Sequence, residues 1–226
     1  MTDKVAADDV LAEFWQLAQA VAPRSPAVAQ PDSATDDGDW DFLSPPAPRP
    51  EAPTAAHAAL DPERLAAFGP LRRRLPALAA ALGPEMATLG DDGRLDRLDG
   101  AAAVVLCEAL TLGEMVRLPE HGALVRLLQR AAAAEAPESV IAAAHAIAHL
   151  EARAAQLPLV ARLRRGPAGL GHEGTDAILG CLKVVADGRC VREMEALLVE
   201  RGAELSDAHA WQARHIVQVI RRAGRK

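Results

Sequence analysis

An all-α fold is predicted for this 226-residue chain: a short solenoid of stacked antiparallel helix pairs, preceded by an N-terminal helix and a disordered linker. Three features lead there. Half of the residues are hydrophobic, and much of that half is alanine, the strongest helix former. Threonine is scarce, tyrosine is absent and β-branched runs are short, so strands have little support. Finally, an Ala-rich apolar pattern returns three times, over 139–150, 176–185 and 207–220, each time opening on Ser or Asp with a second amphipathic helix between copies.

Residues 1–21 form the first unit. Leu11, Phe14, Trp15, Leu17, Ala18 and Val21 recur at helical spacing, Asp8, Asp9 and Glu13 lie near the favourable end of the helix dipole, and Pro23 closes the helix. Such a helix either packs on the body or docks into a partner's groove through Phe14 and Trp15. Residues 22–57 are a linker rich in Pro, Ala, Ser and Asp, too poor in apolar side chains to offset the entropy of ordering. Within it, Asp36-Asp37-Gly38-Asp39-Trp40-Asp41-Phe42-Leu43 sets three hydrophobes among acids. Trp40, Phe42 and Leu43 read as a binding motif that the acids keep solvated and steer toward a basic surface.

The body spans 58–226. Asp61-Pro62-Glu63 is a helix-start signal, and Pro76 forces a break or a new start. Ala101–Leu112 is a strongly apolar helix suited to the centre of a core. Helices are then expected over 120–134, 137–155, 157–165, 175–186, 189–201 and 206–222, with a glycine-rich loop after Arg165.

One helix type carries Ala144/Ile147/Leu150, Ala177/Leu179/Leu182 and Ala213/Ile216/Val219. The other carries Val125/Leu128, Val160/Leu163 and Val191/Met194/Leu197. With Ser139, Asp176 and Asp207 spaced 37 and 31 residues apart, this pattern resembles HEAT-type, armadillo-like helical repeats over roughly residues 99–223. The resemblance implies an α-solenoid used as a scaffold or peptide-binding surface.

Charge narrows the function. Residues 1–57 hold three basic and ten acidic side chains; the remainder holds 22 and 21. A nearly neutral body argues against a nucleic-acid partner, whose footprint is a strong basic excess. Cys107, Cys181 and Cys190 have no paired spacing and fit buried thiols of a cytoplasmic protein. No run of 18 apolar residues suggests a membrane span.

No chemistry-bearing motif survives scrutiny. Gly169-Leu170-Gly171-His172-Glu173-Gly174 matches a dinucleotide fingerprint, but the segment before it is helical, so the strand that would aim the turn at a phosphate is missing. His145 and His149 share a helix face without the Glu of His-Glu-x-x-His, and a third ligand would have to come from elsewhere. His209 and His215 do not share a face well. No catalytic residue, cofactor, metal or small-molecule substrate is expected, and the partners are one or more proteins.

The constellation that remains is basic. Arg126/Arg130, Arg162/Arg165 and Arg189/Arg192 are pairs on the second helix type of successive copies. Either they form an ordinary solvated face, or they line a groove for acidic peptide, which the chain's own 36–43 segment could occupy. The expected function is thus a non-catalytic adaptor with a groove and an N-terminal tail. A nucleic-acid-binding HEAT-like protein of repair type, and a regulatory subunit with an autoinhibitory acidic tail, stay open as alternatives.

Overall fold

The computed structural model describes residues 2–21, 69–83, 93–98, 100–115, 118 and 121–224. The expected linker, the motif with Trp40, Phe42 and Leu43, and the Asp61-Pro62-Glu63 start lie outside the described residues. Among the described residues the regular structure is entirely helical. The helices are α1 (Thr2–Val21), α2 (Leu75–Ala81), α3 (Arg94–Arg97), α4 (Gly100–Leu112), α5 (Ala123–Ala133), α6 (Pro137–His149), α7 (Gln156–Arg165), α8 (Gly171–Val185), α9 (Val191–Arg201) and α10 (Asp207–Ala223). Residues 69–73 are also helical, and the chain turns at Arg74 so that Pro76 sits in the first turn of α2, where its missing N–H costs nothing.

From α2 onward, each helix packs against the one two places along. One run of contacts is α2–α4–α6–α8–α10, and a second is α3–α5–α7–α9. The runs touch through successive helices, α4 on α5, α5 on α6, α6 on α7, α7 on α8 and α9 on α10. Alanine makes the first run close. In α4, Ala101–Cys107, Ala109 and Leu110 are all buried, and in α6 so are Val140, Ala142–Ala144, Ala146 and Ile147. A helix apolar on all sides belongs in the middle of a core. The α5 helix has the contrasting pattern, with Leu124, Leu127, Leu128 and Ala131 inward and Arg126 and Arg130 outward.

The N-terminal helix takes the first of its two sequence-level alternatives. It packs on α2 and α4, with Phe14 fully buried, Ala18 buried and Leu11, Trp15 and Leu17 partly so. Arg74 donates to Glu13 at 2.8 Å across the same contact. Phe14 is therefore core, not a free anchor for a partner's groove.

Several boundaries differ from expectation. The helix foreseen to Ala155 stops at His149 because Glu151 adopts a left-handed backbone (φ 47°), and a 3-10 turn, Arg153–Ala155, follows. The foreseen glycine loop is shorter: a 3-10 turn, Pro167–Leu170, leads into α8 at Gly171, whose φ of 68° and extended ψ suit glycine. Ser139 and Asp176 lie inside α6 and α8 and not at their starts. Only the third start holds: Ser206 caps α10, its Oγ accepting the His209 N–H at 3.2 Å. Val219, read as core, is half exposed because no described helix follows α10 to cover it.

All three cysteines are free and buried, and burial pushes the Cys107 and Cys181 thiols up to about 12, which leaves them unreactive. No described helix is long and apolar enough to cross a membrane.

Because Phe14 fills space between α1 and the body, Phe14→Ala should lower stability by about 3–5 kcal/mol in urea unfolding. A loss below about 1 kcal/mol would mean that α1 does not belong to the cooperative unit.

Candidate functional site

The arginine row is built on helix ends. The last four carbonyls of a helix have no partners within it and carry partial negative charge. At each junction of the second run, an arginine reaches back to those carbonyls. Arg130 of α5 donates to Leu95 O at 2.6 Å and Leu98 O at 3.1 Å, at the end of α3. Arg162 of α7 donates to Ala134 O at 3.0 Å, Glu135 O at 3.3 Å and Gly166 O at 3.3 Å, and Arg165 to Ala133 O at 2.6 Å. Arg201 of α9 donates to Arg164 O at 3.2 Å.

Acids complete the shell. Asp96 takes both Arg126, at 3.1 and 3.2 Å, and Arg130, at 3.0 Å, and its carboxyl is held below the usual range chiefly by the Arg126 hydrogen bond. Arg165 pairs with Glu135 at 2.9 Å, and Arg164 with Glu200 at 2.7 Å and with Glu193. Arg189 pairs locally with Asp187 at 2.7 Å.

The six arginines read as a groove are divided among separate partners. Arg126 and Arg130 converge on Asp96, Arg162 and Arg165 on the end of α5, and Arg189 stands apart. Arg162 is only 4% exposed, and its desolvation lowers its proton affinity without discharging it. Arg192 is exposed and has no ion-pair partner among the described residues. Five of the six thus hold the chain to itself.

Of the tail residues, Phe14 is core and meets Trp15 edge-on, with ring centroids 5.3 Å apart. Trp15 borders a cleft of about 500 Å³ between α1 and α3, lined also by Gln16, Gln19, Arg94, Arg97 and Leu98.

Two features of the last helices escaped the sequence. On α10, Trp211 is 62% exposed and stacks flat on His215, with centroids 5.3 Å apart, and Val219 extends the stripe one turn on. Facing the other way, His209 Nε2 lies 3.0 Å from Asp176 Oδ1, and His172 Nε2 lies 3.2 Å from Asp176 Oδ2. The two imidazole centroids are 4.5 Å apart. The His172/Asp176 pair had a visible signal, four residues of separation on one helix; His209, in another helix, had none. The pair that did look like ligands fails, since His149 Nε2 is bonded to Gly113 O at 3.1 Å while His145 is exposed. Gly169 sits in a turn between two helices and Gly171 and Gly174 in the first turn of the second, which is not the strand–turn–helix geometry of a nucleotide site.

If Arg162 is structural, Arg162→Met should lower stability by about 2–4 kcal/mol, because buried carbonyls lose their donors. The exposed Arg165→Gln should cost less than about 1 kcal/mol. Equal, small effects in thermal unfolding would return both to the status of surface charges. A second expectation concerns acid. Arg189 beside Asp187 holds that carboxyl down at about 2, below an unfolded value of about 3.9. Its contribution is full above the unfolded value and is lost as pH falls through about 2. Asp187→Asn should therefore cost about 1 kcal/mol at pH 7, after discounting for solvent screening, and progressively less as pH falls through that range. A pH series of urea midpoints reads both arms.

No family model, no curated protein and no solved structure matches this chain, and its own residues carry the functional reading.

Proposed function

We propose that this chain is a non-catalytic, cytoplasmic adaptor whose body is a short HEAT-like α-solenoid and whose terminal helix offers a docking face to another protein. The solenoid reading draws on period as well as packing. Helices of the first run begin at Gly100, Pro137, Gly171 and Asp207, at intervals of 37, 34 and 36 residues. Those of the second begin at Ala123, Gln156 and Val191, at intervals of 33 and 35. Helix-pair repeats have periods of about 30–47 residues.

The observation that carries the binding role is the Trp211–His215–Val219 stripe. It displays on one helix face a tryptophan, a residue type enriched at energetic centres of protein interfaces. The acidic segment with Trp40, Phe42 and Leu43 supplies a second contact, so that one chain brings two proteins together through effective concentration. Phe14 has no part in this, being core, and the paired arginines contribute rigidity to the scaffold. The three buried free thiols support a reducing compartment.

Affinity isolation from the native cell, with full-length wild type, Trp211→Ala and the double variant Trp40→Ala/Phe42→Ala, separates the two contacts. Each variant should keep the wild-type helical spectrum and lose a different protein, with at least about a tenfold drop in recovery. Retention of every partner by both variants would defeat the adaptor reading.

A further inference from the structure

We propose that His172, Asp176 and His209 form a binding site for a divalent transition-metal ion, with zinc the best match, that ties the start of α8 to the start of α10. The three donor atoms come from two helices 33 residues apart in sequence and lie within 4.8 Å of one another. Zinc holds nitrogen and carboxylate oxygen at about 2.0–2.2 Å, which places tetrahedral ligands about 3.3–3.5 Å apart. The observed separations of 3.0 and 3.2 Å to the shared carboxylate lie close to that value, and the two ring nitrogens lie within 4.8 Å of each other.

The chemistry of the donors selects the ion. Two imidazoles and one carboxylate suit zinc, cobalt, nickel or copper; magnesium and calcium prefer oxygen throughout. Both rings turn Nε2 to the same carboxylate at a centroid distance of 4.5 Å. A dication set between them accepts a lone pair from each ring nitrogen and from the carboxylate at once.

Half of the site is fixed and half is free to close. The His209 side chain is 5% exposed and its backbone is held by the Ser206 cap, so its ring is preset. The His172 side chain is 74% exposed and Asp176 48%, which gives the ion an entry path and leaves the remaining position to water. The positive ends of both helix dipoles oppose a cation. Asp176 as a ligand, with Glu173 and Asp207 in the two first turns, offsets this.

The test uses the full chain, stripped with chelator and titrated with zinc chloride in a calorimeter, and with cobalt(II) by visible absorption. Wild type should take up about one zinc per chain, show cobalt bands of low-symmetry coordination, and unfold at higher temperature with zinc present. Losing a ligand should weaken binding at least as much as losing its outer-shell partner, about 10–100-fold. His172→Ala, at an exposed position that leaves the fold intact, and Asp176→Asn should each do so and abolish the zinc-dependent rise in unfolding temperature. His145→Ala on α6 should bind as wild type does. Absence of a saturable one-to-one phase, or unchanged binding and unchanged thermal shift in His172→Ala and Asp176→Asn, would overturn the site.

Discussion

A helix that ends inside a packed array leaves carbonyls that no further turn can satisfy, and the second run of this fold depends on arginine to close them. Arg130, Arg162 with Arg165, and Arg201 each reach back one helix to the terminal carbonyls of α3, α5 and α7. The contact suits guanidinium and not ammonium. A planar fork with five donors spans two or three carbonyls, and the group keeps its charge when desolvated. Arg162 needs both properties, because it is buried against Ala134, Glu135 and Gly166. Each such contact fixes the offset of one helix against the last, and the packing of α5, α7 and α9 inherits that register.

The same contacts explain the near-neutral body. Arg126, Arg130, Arg164 and Arg165 are matched by Asp96, Glu135, Glu193 and Glu200, one helix away in space and about 30 residues away in sequence. Charge balanced in this way belongs to the scaffold. On the proposed adaptor reading, recognition falls to apolar and aromatic side chains that the packing leaves outside.

Patterns set by a single helix were legible in the sequence, and those set between helices were not. Helical period located α4, α5, α7 and α10, and residue chemistry located the restart at Pro76 and the helix start at Asp207. The repeated Arg pairs were visible too, but their partners are mostly backbone carbonyls, which have no side-chain signature, so a solvated face and a ligand groove looked alike. Phe14 was ambiguous for a related reason: an amphipathic stripe shows that a face will be covered and not by what. Ser139 and Asp176 resembled caps because a polar residue in an alanine-rich run looks like a beginning. Asp176 is polar for another cause, its two histidines, and His209 is near it only because α8 and α10 pack side by side.

That adjacency gives the end of the array its character. Interior helices of the first run are held from both sides, whereas α10 has α8 and α9 on one side and no described helix on the other. α10 also carries Trp211, and on the proposed docking role an anchor residue binds well only when its helix is ordered beforehand. His209 and Trp211 are two residues apart, about 200° around the helix, so one can face Asp176 while the other faces outward. A tie through His209 would therefore stiffen α10 from its inner side without touching the stripe on its outer side. The exposed tryptophan and the inward-facing histidine thus share one helix, and the His172–Asp176–His209 cluster is where that helix can be tied to α8.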